Sequence, residues 1–195
     1  MRHGGQATAI ESVELTSITM LKYIYILSIL ALSAAVTATV ESSLLNRLLQ
    51  LDLGLTVTSI LLDSLGEDTA QISALDVVTS YNLTTTVGTS TLWLPLSEPC
   101  EESTQYVLCQ AYHTFVITSI SLYGDLVEDA DQFNRDLRNI LQVGFTNIWN
   151  ENLDFVVKVA PAGLPLCLES IQLDDKAHEK AFLKAFNALD PSIVA

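Results

Sequence analysis

Residues 108–133 constrain this chain more than any other stretch. Leu108, Tyr112, Phe115, Val116, Leu122, Leu126 and Phe133 fall on one face at helical spacings, with Ser119 and Ala130 in the remaining slots. A face this wide and apolar predicts one long amphipathic helix. Ser119 fits it, because a helical serine can bond back to the carbonyl one turn earlier. Gly124 lies in phase and costs about 1 kcal/mol relative to alanine. Residues 115–120 are β-branched enough for a strand, and only the length of the stripe argues against that. So aromatic a face needs partner helices.

The flanking segments supply them. Leu44, Leu48, Leu51, Leu55, Leu62 and Leu65 form a heptad-like stripe with Thr58 in its one polar slot, and Gly66 stands where a C-terminal cap belongs. Asp68 is the expected N-cap of a second helix over residues 69 to about 86, which carries Ile72, Leu75, Val78 and Tyr81 and ends in a threonine-rich run. Residues 88–99 read as a loop that folds Trp93, Leu94 and Leu96 over the bundle end. The long helix starts near Glu101 and ends at Gly124-Asp125 or Asn134-Arg135, with periodicity favouring the later turn. Leu137, Leu141, Phe145, Ile148, Leu153, Val156 and Val157 follow, stopping before Pro161. A last helix begins at Pro165, with Leu168, Ile171, Phe182, Phe186 and Leu189 opposite Lys176, Lys180 and Lys184; Asp174-Asp175 offers a break in it. The fold class expected is all-α, an antiparallel bundle of about five helices.

Ahead of the bundle, Met20-Leu21-Lys22 precedes an apolar run over residues 23–32, and small residues lead to Val36-Thr37-Ala38. A basic flank, a short apolar core and small residues at minus three and minus one describe a secretory signal peptide cleaved after Ala38. Residues 1–19 are then either a dispensable leader or a mis-assigned start, with translation beginning at Met20 preferred, while 20–38 form the signal and 39–195 a single helical domain. A signal anchor is the alternative, since residues 23–38 approach the length of a membrane span. No basic cluster or aromatic belt follows to fix such a span, so no stable membrane insertion is expected after cleavage.

Hydrophobic residues make up 49% of the 195 and charged residues 16%, and the formal net charge is −14. The leader and signal carry Arg2, Lys22, Glu11 and Glu14, so their removal leaves that charge unchanged. So acidic a chain lacks the lysine and arginine clusters that nucleic acid or anionic lipid requires. Its acidity is read first as solubility.

The three cysteines are Cys100, Cys109 and Cys167. In a secreted protein two of them pair. Cys167 can reach either of the others in an antiparallel bundle; Cys100–Cys167 is preferred, since Cys100 sits in an adaptable loop and Cys109 suits burial as a small hydrophobe. Cys109 and His113, one turn apart, resemble a nucleophile–base pair or half a metal site, but no third member accompanies them. His178, among Asp174, Asp175 and Glu179, reads as part of a solvated face. Asn82-Leu83-Thr84 is a glycosylation sequon. With no phosphate loop, metal motif or nucleophile elbow, an enzyme, a metal and a cofactor are not expected.

This succession of signal peptide, leucine stripe, threonine-rich helix, long helix through Leu126 to Phe133, helix ending at Val159-Ala160-Pro161, and tail with Ala181-Phe182 and Ala185-Phe186 resembles the fungal hydrophobic surface-binding protein and cell-wall galactomannoprotein family over most of residues 44–189. The resemblance implies a secreted, cell-wall-associated bundle that binds hydrophobic surfaces or a fatty acid in a cavity between helices. Tyr112, Phe115, Val116, Leu122, Phe145, Ile148 and Trp149 are its expected lining. The competing expectation is that these residues pack solidly on each other and that an effector-like protein acts through its acidic surface.

Overall fold

The computed structural model describes residues 40–65, 72–89, 93, 96–190 and 192, and among them the chain is helical with no strand. Five helices carry the fold: α1 (Val40–Asp63), α2 (Ala74–Thr89), α3 (Glu102–Glu128), α4 (Arg135–Asp154) and α5 (Leu168–Ala188). The expected leader, signal peptide and cleavage site lie outside the described residues, as do Gly66, Asp68 and Leu94.

The leucine stripe of α1 is buried as its spacing requires, with Leu44, Leu48, Leu51, Leu55 and Leu62 all facing inward. Thr58 closes the stripe without a polar penalty: its hydroxyl donates to the Gly54 carbonyl at 2.9 Å and lies 3.0 Å from Ser80 Oγ. The second helix begins at Ala74 rather than at residue 69. Ser73 and Asp76 cap each other there; the Ser73 amide donates to Asp76 Oδ2 at 3.1 Å and the Asp76 amide to Ser73 Oγ at 3.4 Å. That reciprocal pairing satisfies two donors that a helix start otherwise leaves free.

Between the two longest helices the chain turns at the later of the two expected positions. Gly124 stays inside α3, and Asn134 caps α4 by accepting the Leu137 amide at 3.0 Å. A 3-10 turn, Ala130–Gln132, joins them, held by Arg138, which donates to the carbonyls of Ala130 at 2.6 Å and Phe133 at 2.9 Å.

The helix expected to stop before Pro161 instead runs past it. A π segment, Phe155–Val159, extends α4 into one more α turn, Ala160–Gly163. The Ala160 amide reaches five residues back to the Phe155 carbonyl, which places Pro161 at the start of a fresh turn where its missing N–H costs nothing. After a 3-10 turn, Pro165–Cys167, α5 runs unbroken through Asp174-Asp175, because both carboxylates find partners on neighbouring helices.

Successive helices alternate in direction, yet their order in space is α1, α2, α4, α5, α3 and back to α1. Thr118 on Asp52 and Ser59 on Asp125 show α1 and α3 running parallel. Cys109 beside Cys167 and His113 beside Asp174 show the same for α3 and α5. The chain turns through 114° between residues 135–163 and 165–188, so α5 crosses α4 obliquely. Across the ring, α3 and α4 are bridged chiefly by large side chains, and that filling is the protein's core. No single described helix is long and apolar enough to cross a membrane.

Candidate functional site

The interior of the ring is an aromatic core. From α3 come Tyr112, Phe115 and Tyr123; from α4, Phe145 and Trp149; from α2, Tyr81; and from the π segment, Phe155. Tyr112 stacks on Phe155 at 4.6 Å, and Trp93, carried in by the α2–α3 connection, meets the same ring edge-on at 5.3 Å. Tyr81 and Tyr123 approach Phe145 edge-on at 5.5 and 5.0 Å. These are the offset and T-shaped arrangements that ring quadrupoles favour.

Of the seven residues expected to line a cavity, Tyr112, Phe115, Val116, Leu122, Phe145 and Ile148 are at most 1% exposed and belong to the one core cluster. Trp149 is half-buried and stacks between His178 at 5.8 Å and Phe182 at 5.2 Å. The structure thus brings the seven into one interior, six of them in the packed core and one at its rim. A cleft of about 300 Å³ lies elsewhere, between the first turns of α1 and α3, with Leu45, Val107 and Leu108 in its walls.

His178 corrects the sequence reading. Far from a solvated face, it is 0% exposed and caged by Phe115, Tyr123 and Trp149. Neither ring nitrogen has a hydrogen-bond partner among the described residues, although a neutral imidazole carries one donor and one acceptor. Burial alone pushes its pKa down to about 4. The signal was spacing: His178 lies seven residues from both Ile171 and Ala185, the other buried positions of α5. Its charged neighbours in sequence outweighed that phase.

Two further groups are unpartnered beside it. The Tyr81 and Tyr123 hydroxyls adjoin each other, yet neither makes a hydrogen bond of ordinary geometry among the described residues. Burial raises both phenols well above their ordinary range, and they stay protonated. An unpaired buried hydroxyl or imidazole carries a desolvation cost of about 1–3 kcal/mol.

Of the remaining buried polar groups, Arg47 Nε and Nη1 and Trp93 Nε1 also make no hydrogen bond of ordinary geometry among the described residues, while others are satisfied. The Tyr112 hydroxyl donates to Asn152 Oδ1 at 2.8 Å, and the Asn152 amide donates to Asp175 Oδ1 at 2.5 Å. His113 Nδ1 lies 2.8 Å from Asp174 Oδ2. Sequence reading missed a second polar pair as well: Arg47 of α1 and Glu151 of α4 form a buried ion pair, with the guanidinium 4.2 Å above the Trp93 ring. Burial raises the Glu151 carboxyl pKa, and Arg47 pulls it back.

The expected disulfide is also corrected. Cys109, not Cys100, pairs with Cys167, and the two Cα atoms stand 6.4 Å apart, within disulfide range. Parallel packing of α3 on α5 sets Cys109 beside the turn that starts α5. Cys100 is instead buried as a free thiol, its amide tied to the Gly163 carbonyl at 3.0 Å. Cys109 and His113 therefore serve different partners. Asn82 is exposed on α2. Among the described residues no group of three or more His, Cys, Asp or Glu side chains is arranged to hold a metal.

No family model, curated protein or solved structure matches the chain.

Proposed function

We propose that this is a secreted, non-enzymatic protein that binds apolar molecules between its helices, fatty-acid-like lipids or a hydrophobic surface presented in the extracellular space or cell wall. The observation that carries this reading is the aromatic interior, the proposed chamber, in which His178 has no partner and the Tyr81 and Tyr123 hydroxyls adjoin only each other. Ligand sites are built this way, from apolar walls with a few convergent polar groups. The oblique α4–α5 seam is the proposed entrance, where Trp149 and Phe182 stack half-buried. A cysteine pair at disulfide distance fits an extracellular setting. The resemblance to the hydrophobic surface-binding and galactomannoprotein family, and a glycan on Asn82, belong to the same proposal.

A second reading has its own support. Six of the seven lining residues pack tightly on their neighbours, and the chain carries a formal charge of −14. A solid bundle acting on a partner through its acidic surface accounts for both. Native mass spectrometry of the secreted protein, before and after denaturing extraction, separates the two. An extractable adduct of lipid size supports the chamber; no adduct, and no uptake of an added long-chain fatty acid or alcohol, supports the acidic surface.

A further inference from the structure

Burying a polar head inside this chamber requires matching its charge and its hydrogen-bonding capacity. The fixed groups available are two phenol hydroxyls and one imidazole, all neutral at ordinary pH and all at most 1% exposed. Between them they offer O–H and N–H donors as well as an imidazole lone pair. No charged side chain acts appreciably on His178 or Tyr123. The buried cations among the described residues are Arg47 and Arg138. Arg47 has its charge matched by Glu151 through Nη2, although its Nε and Nη1 have no partner, and Arg138 is engaged by the carbonyls of Ala130 and Phe133. The acids one helical turn before His178 on α5, Asp174 and Asp175, are held by His113 and Asn152.

An ionised carboxylate at this place would be a buried charge without a counter-charge, which proteins avoid at a cost of several kcal/mol. A hydroxyl has the opposite fit. It accepts from a tyrosine O–H and donates to the free imidazole nitrogen, and both partners are otherwise unsatisfied. We infer that Tyr81, Tyr123 and His178 form a head-group site for an uncharged hydroxyl, so that the chamber selects long-chain alcohols over ionised fatty acids. The inference rests on the ligand-binding reading above and narrows it to one class of amphiphile.

Calorimetric titration of the full-length secreted protein tests it with three probes of one chain length: an alcohol, the carboxylic acid at a pH of about 8, where it is ionised, and the plain alkane. The alcohol is expected to bind at least about tenfold more tightly than either of the others, since a buried charge or an unpaired site opposes them. Tyr123→Phe and Tyr81→Phe, each removing one oxygen from an unpaired hydroxyl, are expected to weaken the alcohol about fivefold to tenfold while leaving the alkane unchanged. Acid binding as tightly as alcohol overturns the site, as does alkane binding equally well; in both cases the apolar-ligand reading survives. Phenylalanine variants that leave alcohol affinity unchanged also overturn it, and assign the three groups to an internal water. If none of the probes binds, the ligand reading itself falls and this site with it.

Discussion

The Tyr81 ring of α2 abuts the backbone of α4 at Gly144, so closely that a Cβ there would overlap Cε1 and Cδ1 of the ring. The ring is itself wedged against Phe145 and cannot swing away. Gly144→Ala therefore trades a helix-propensity gain of about 1 kcal/mol against an overpacking cost of about 1–3 kcal/mol. It is expected to destabilise by up to about 2 kcal/mol. Gly124 is the control: a Cβ there meets nothing within 4 Å. Gly124→Ala is expected to stabilise by about 0.5–1 kcal/mol. Urea denaturation of both variants checks the pair, and a stabilised Gly144→Ala would refute the close packing.

Periodicity found most of the inward apolar positions, although it put Leu75 and Val157, which are exposed, on the inner faces and passed over Val77 and Val159, which are buried. The α1 leucines, and the stripe from Leu108 through Leu126, are buried as spacing requires. What periodicity could not give was a polar residue in an apolar phase. Arg47 follows Leu44 by three, Glu151 and Asn152 follow Ile148 by three and four, and His178 follows Ile171 by seven. All are buried, and in each case residue type argued for solvent while position argued for core. Position prevailed where a neighbour supplied a partner, as Glu151 does for Arg47 and Asp175 for Asn152. At His178 position prevailed without one. Pro161 misled for a related reason, since a π turn absorbs a proline that an unbroken α-helix rejects. The cysteine pairing was missed for another reason. An antiparallel order allows Cys167 to reach either partner, but Cys100 is the buried thiol and Cys109 only partly buried, the reverse of what loop and helix positions suggested.

Two tyrosines of α3 are expected to respond oppositely to the loss of one oxygen. Tyr112→Phe strands Asn152 Oδ1 in a fully buried site, at a cost of about 1–3 kcal/mol. Tyr123→Phe removes a hydroxyl that adjoins only that of Tyr81 and makes no hydrogen bond of ordinary geometry, so stability is expected to hold or rise slightly. Thermal unfolding of the ligand-free variants measures both. Equal losses would mean that Tyr123 is hydrogen-bonded after all.

The cysteine assignment predicts thiol counts. In denaturant without reductant one thiol should react, Cys100, and reduction should release Cys109 and Cys167. The bridge closes a loop of 58 residues, for which chain entropy gives about 4 kcal/mol. Cys109→Ser should thus cost several kcal/mol and leave thiols at Cys100 and Cys167. Cys100→Ala should leave the bridge intact. Peptide mapping that finds Cys100 joined to Cys167 would reverse the assignment.

His178 ties stability to pH with a definite sign. Its folded pKa, about 4, lies below the value near 6.5 of an exposed histidine. Between those values the unfolded chain binds a proton that the folded chain refuses, so stability falls as pH drops through the window. At 1.36 kcal/mol per unit the full loss is about 3 kcal/mol. Burial raises the carboxyl pKa values of Glu151, Asp125 and Asp129, and these act in the reverse sense, gaining stability on protonation. A bare pH profile of the wild type mixes the two contributions. Comparison with His178→Leu separates them, because the carboxylates are common to both proteins. The difference in unfolding free energy is expected to shift by about 3 kcal/mol in favour of the variant from a pH of about 7 to about 4. A constant difference across that range would mean that the imidazole takes up its proton inside the fold, and the chamber would then hold a charge.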